Sequence, residues 1–261
     1  MSTEVLLVEV ADEVAVVTMN RPESRNALSA HLLGALQSAM ADLAAREDVA
    51  VVILTGSDPA FCAGLDLKEL GRSSRLLEGG GASDQASSAP WPSLGKPLIG
   101  AVNGVAVTGG LELALNCDFL IASERAKFAD THARVGVMPG WGLTVLLPQR
   151  VGVAMARRMS FTGDFVDAAA ALRAGLVTEV VSHDELLPAA RRVARTIAAN
   201  NRSGVLGIYD TYRRLDAMAT MAGLALELEA SLRWRREGRT DGLAERVPGV
   251  ISRGRDQLGP I

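Results

Sequence analysis

Three apolar runs without polar alternation, Val49–Leu54, Leu98–Val102 and Phe119–Ala122, constrain the fold of this chain more than any other feature. A strand with one wet face alternates, whereas a strand buried on both faces does not, so these runs predict a parallel sheet covered by helices. Apolar strand, glycine-bearing turn and helix recur without strict sequence repetition, which makes this an α/β chain with crossover connections. At 261 residues, 48% hydrophobic and 22% charged, the chain has material for one large core.

The flanking segments extend this outline. Val5–Val10 and Glu13–Met19 read as an antiparallel hairpin around Ala11-Asp12. Ser29 is placed to cap a helix whose Leu32, Leu33, Leu36, Met40 and Leu43 share one face. Farther on, Asp167 and Gly175 bracket another helix, Leu176–Val181 returns to strand, and the pattern is helical from Asp184. A long amphipathic helix is predicted through Met221, Leu224, Leu228 and Leu232, closed by Gly238. Arg233, Arg235, Arg236 and Arg239 alternate with Glu227, Glu229, Glu237 and Asp241, a pattern that suits a solvated or subunit-contacting face better than a polyanion site. We divide the chain into a core over 1–195 and a helical carboxy-terminal region over 196–261. Gly71–Gly95, rich in Gly and Ser, reads as a long mobile loop.

A net charge of −3 provides no long-range field for nucleic acid or anionic membrane, and neither is expected as a partner. Cys62 and Cys117 are too few and too far apart for a disulfide framework or a four-cysteine zinc site, so a reducing, cytoplasmic setting is expected. The start MSTEVLLVEV lacks the basic segment of a secretory signal.

Two stretches concentrate glycine at strand-to-helix turns. In Asn103–Glu112, Gly109 and Gly110 permit close backbone approach and open a helix whose free amides favour negative charge. In Gly56–Glu69, the sequence FCAGLDLKE follows the first buried strand. Backbone amides from two such turns can converge on one oxygen, which is the construction of an oxyanion hole. Glu112 stands in the first helical turn, where an acid also stabilises the helix dipole, so position alone does not assign it. Gly104–Gly109 falls short of a dinucleotide-binding fingerprint because its second glycine is Ala106.

FCAGLDLKE, then KPLIGAVNG and GGLELALNCD, is similar to the enoyl-CoA hydratase/isomerase (crotonase) family. The resemblance implies a crotonase-like spiral of ββα units with a helical carboxy-terminal trimerisation region. It also implies assembly as a homotrimer or hexamer, an acyl-CoA thioester as substrate, and no metal or redox cofactor, coenzyme A being part of the substrate. Carried over by position, the amides of Leu65 and Gly109 would hold the thioester oxygen. Cys62, Ala63, Gly64, Asp66, Leu67, Lys68, Gly110 and Trp141 would contact substrate or coenzyme A. Glu112 aligns with the first catalytic glutamate of the hydratases, which directs water to C3 of a trans-2-enoyl-CoA.

Where hydratases carry a second glutamate, this chain has His132. A neutral imidazole titrating near pH 6.5 would hold the same water or relay its proton; Asp130 is a candidate to orient the ring, which spacing alone does not place. Gly140 replaces the aspartate of relatives that dehalogenate or close rings. Three readings stay open: an enoyl-CoA hydratase; another crotonase-type acyl-CoA enzyme such as an isomerase, decarboxylase or lyase; and a non-catalytic acyl-CoA- or RNA-binding protein.

Overall fold

The structure, a computed structural model, describes residues 4–66, 69, 89–239 and 242–258. The predicted loop over 71–95 lies outside the described residues for 71–88, as do Leu67 and Lys68. In chain order the first elements are β1 (Leu6–Ala11), β2 (Val14–Met19), α1 (Ala30–Ala45), β3 (Val51–Gly56) and β4 (Ala60–Cys62). Next come β5 (Leu98–Val102), β6 (Val105–Val107), α2 (Gly109–Leu115), β7 (Phe119–Ser123), β8 (Lys127–Ala129) and α3 (His132–Val135). α4 (Leu143–Val151), α5 (Val153–Thr162), β9 (Val166–Asp167), α6 (Ala168–Ala174) and β10 (Glu179–Val181) follow. The chain continues through α7 (Leu186–Ala198), α8 (Arg202–Arg236) and α9 (Leu243–Leu258).

A six-stranded sheet runs β1-β2-β3-β5-β7-β10, antiparallel in the hairpin and parallel thereafter. A second sheet of four short strands runs β4-β6-β8-β9. Successive units place their first strand in the large sheet and their second in the small one: β3/β4, β5/β6, β7/β8. With α2 and α3 behind the latter two pairs, this is the ββα spiral that the sequence resemblance implies. The small sheet corrects the simpler expectation of a plain turn at Gly56–Glu69 and Asn103–Glu112. Each turn contains a three-residue strand, too short to show a period of two.

Lack of alternation in β3 and β5 has the expected cause. Val51, Ile53, Ile99, Ala101 and Ile121 pack under Leu186, Ala190 and Ala194 of α7, while Val52, Leu54, Leu98 and Val102 belong to the opposite core with α1. Ser29 caps α1 by accepting from the Leu32 amide, and Leu32, Leu36, Met40 and Leu43 turn inward as their spacing predicts. Each such side chain contributes about 1.5–3 kcal/mol by leaving water. The strand expected over Leu176–Val181 shortens to β10 because Thr178 gives both its amide and its hydroxyl to the Leu120 carbonyl, fixing the entry into the sheet.

Lys96 closes the far end of α1. Its ammonium donates to the carbonyls of Leu43, Arg46 and Val49 at 2.7, 2.8 and 3.1 Å, and the residue is 5% exposed. Lys96→Met keeps the packing of the stem but strands those acceptors, so it is expected to cost about 2 kcal/mol or more, read as a lowered Tm and denaturation midpoint.

Candidate active site

The two glycine turns meet. Gly110 lies so close to β4 that a Cβ there would stand 2.1 Å from the Cys62 carbonyl oxygen, which excludes any side chain. Gly64 has φ +88°, and a Cβ on it would come within 2.8 Å of the Val107 carbonyl oxygen and 3.5 Å of the Gly109 nitrogen. Leu28 donates its amide to the Gly64 carbonyl and accepts from the Asp66 amide, so the Leu65 N–H points away from this bridge. Gly109 is the first residue of α2, where an amide has no partner within its own helix. Thr108 before it holds the uncommon φ of 55°, and its hydroxyl is hydrogen-bonded to that of Thr131.

Three residues into α2, Glu112 is 3% exposed. Its Oε1 accepts from the amides of Gly140 and Trp141 at 3.1 and 2.7 Å, and its Oε2 faces His132 Nε2 at 3.5 Å. The other ring nitrogen, Nδ1, stands 2.6 Å from Asp130 Oδ1, which also accepts from the His132 amide. The result is a buried row, Asp130–His132–Glu112, with the imidazole between two carboxylates. Burial alone would push the His132 pKa down, but the hydrogen bonds to Asp130 and Glu112 and their charges outweigh it and raise the value to about 10. For Asp130, burial acts upward, and the bond and charge of His132 prevail to hold it below the usual carboxylate range. The surroundings of His132 thus shift it away from the near-6.5 imidazole expected from sequence, in the direction that favours the protonated ring. The expected orienting role of Asp130 is present as a direct contact.

Trp141 has two contacts of interest. Its amide holds Glu112, and its ring lies over Gly109, where an added Cβ would meet Cζ3 at 3.2 Å. Cys62 is buried in β4 with its thiol pushed up to about 12, foremost by burial, which removes it as a nucleophile. Ala63, Leu65 and Asp66 line a cleft of about 700 Å³ together with Thr108, Thr131, four arginines (Arg21, Arg25, Arg134, Arg255) and apolar Val135, Val137, Val250 and Ile251. Glu112 and His132 are outside that wall; their neighbours Thr108 and Thr131 are in it.

Sequence reading missed two residues here. Asn116, one turn beyond Glu112, donates to the carbonyls of both Glu112 and Trp141. Glu227, read as part of a solvated or subunit-contacting face, is 5% exposed and accepts from the amides of Gly142 and Thr144 at 2.6 and 2.7 Å. A carboxylate among exposed charges carries no sequence signal of such burial.

Because the folded-state pKa of His132 lies above its unfolded value, its contribution to stability is complete below about pH 6.5 and is lost as pH rises through about 10. The Tm advantage of the wild type over His132→Gln is therefore expected to be largest in mild acid and to shrink toward pH 10, checked by thermal melts of both proteins across that range.

The enoyl-CoA hydratase/isomerase family model matches residues 9–233. The chain is 40% identical over 218 residues to a probable peroxisomal enoyl-CoA hydratase 1 of Arabidopsis thaliana, covering 83% of this chain and 80% of that protein. It is 39% identical to a probable enoyl-CoA hydratase of Rhizobium meliloti, covering 87% and 88%. Among solved structures, an enoyl-CoA hydratase from Mycobacterium smegmatis superposes with a TM-score of 0.82 at 57% identity, covering 90% of this chain and 100% of that one. The paired glycine turns, the ββα spiral and these matches agree: the chain belongs to the enoyl-CoA hydratase/isomerase family.

Proposed function

We propose that the protein is an enoyl-CoA hydratase that adds water across the 2,3 double bond of a trans-2-enoyl-CoA to give a 3-hydroxyacyl-CoA. The carrying observation is the Glu112 carboxylate, fixed on one oxygen by two amides and faced on the other by His132, three residues past Gly109. In this reading the amides of Leu65 and Gly109 hold the thioester oxygen, which takes up negative charge as C3 is attacked; one such donor is worth about 2.7–4 kcal/mol. The water oxygen bonds to C3, Glu112 accepts the water proton, and the same proton returns to C2 as the enolate collapses. His132, already protonated, serves as a donor that orients the carboxylate and the water, so Glu112 carries both transfers. Coenzyme A would enter by the cleft beside Leu65, where Arg25 and Arg255 suit its phosphates, while Arg21 is paired with Asp66 and Arg134 with Asp164. Contacts from Cys62, Gly64, Leu67, Lys68 and Gly110 belong to the same proposal.

One observation favours a second reading. A site with a single base and a fixed imidazolium can also shuttle a proton between C4 and C2, which is isomerisation without water. Product mass separates the two, since hydration adds one water and isomerisation adds nothing. With a panel of trans-2-enoyl-CoA esters, we expect hydration by the wild type and a fall in kcat of about 10²–10⁴-fold for Glu112→Gln. Unchanged substrate mass with a moved double bond selects the isomerase.

We further propose assembly as a homotrimer or hexamer in the cytoplasm. Support comes from α8, which exposes Ile208, Tyr212, Leu215, Met218 and Leu226 along its outer side. Among the described residues, no helix is long and apolar enough to cross a membrane. Light scattering is expected to give three or six times the chain mass, and Leu215→Glu with Met218→Glu is expected to lower it.

A further inference from the structure

The turn that holds Glu112 is itself held from the opposite side. Gly140 and Trp141 give their amides to Glu112, and the next amides along the same turn, those of Gly142 and Thr144, go to Glu227. The Thr144 hydroxyl adds a third bond to Glu227 Oε2. Gly142 is left-handed at φ 88°, which lets the chain reverse the direction of its amides between the two acceptors. Asn116 ties the carbonyl of Trp141 to α2. From α8, Ser231 stands one helical turn beyond Glu227 and is the nearest atom to a Cβ built on Gly140, at 3.9 Å.

We propose that Glu227 is a positioning residue for the proposed reaction, fixing the Gly140–Thr144 turn so that its amides aim Glu112 at His132. This rests on the hydratase reading for its kinetic consequence but not for its geometry. Glu227 is too far inside the protein to be one more surface charge on α8, and its partners are two backbone amides and the Thr144 hydroxyl of one turn. It also confronts Glu112 across one short turn, and burial followed by the Glu112 charge pushes its pKa up. Glu227 does not touch the reacting atoms; it acts through the amides of Gly140 and Trp141. Without it the amides of Gly142 and Thr144 lose their acceptor, and the turn is held only from the α2 side, by Glu112 and Asn116.

Glu227→Gln tests this, because an amide keeps the shape but offers one acceptor oxygen in place of two. Two measurements are made on the full-length protein. The first is ¹⁵N NMR titration of the histidine rings, which number three in all and are assigned with His132→Gln. The second is kcat and KM with a trans-2-enoyl-CoA. A displaced Glu112 carboxylate would lower the His132 pKa by about one unit or more. It would also reduce kcat by about 10- to 100-fold, with KM little changed and partial recovery in Glu227→Asp. A Glu227→Gln protein that melts earlier yet keeps the His132 titration and kcat overturns the proposal and leaves Glu227 purely structural. If Glu227→Gln does not fold, Glu227→Asp is read alone by the same two criteria. If the wild type hydrates no enoyl-CoA, the hydratase reading falls, while the His132 titration still decides for or against Glu227.

Discussion

A carboxylate buried to 3% exposure is the constraint around which this molecule is arranged. An unpaired charge in such a place costs several kcal/mol, so every group near Glu112 has to answer it. Two amides and an imidazolium do so directly. Those donors need support in turn: Asp130 holds the ring of His132, Asn116 holds the carbonyl of Trp141, and Glu227 holds the amides that follow. The two sheets exist, from the site's point of view, to bring β4 and β6 side by side so that Gly64, Gly109 and Gly110 can touch.

Replacing a carboxylate by imidazole at position 132 changes more than one charge. Two glutamates beside one another repel, and either can exchange roles with a proton. An imidazole between Asp130 and Glu112 instead has its protonated form favoured, because their hydrogen bonds and charges outweigh burial and raise its pKa. A ring held in that form donates rather than accepts, which is why the proposed mechanism assigns the base to Glu112. That asymmetry is what the Asp130–His132–Glu112 row adds to the proposed hydration and to the single-base isomerisation weighed beside it.

Much of this was readable beforehand. The unbroken apolar runs gave the large sheet because burial on both faces leaves a mark on every residue of a strand. Ser29, Asp167 and Gly175 marked helix ends through local chemistry, whereas the Asp130–His132 contact is placed only by the fold. What escaped detection did so for a common reason. β4 and β6 are three residues each, below the length at which alternation can be seen. On α8, Leu224 and Leu228 are half-buried and Met221 and Leu232 are exposed, but the residues buried on that helix are Thr220, Glu227 and Ser231, which apolar periodicity does not mark. Polar side chains that are buried to satisfy backbone amides have the same letters as those that face water.

The inward face of α8 therefore works by different physics from the faces of α1 or α7. Thr220, Gly223, Glu227, Ser231 and Trp234 recur at helical spacing, but they bury little apolar surface. Gly223 admits Val145 closely, Glu227 binds Gly142 and Thr144, and the Trp234 indole donates to the Gly136 carbonyl. Hydrogen bonds are directional where hydrophobic contact is not, so this docking specifies register. A slip of one residue turns a helix by about 100° and would carry the Glu227 carboxylate off the turn altogether. An apolar face would lose area in such a shift; this one would also strand the amides that stand next to those bonded to Glu112.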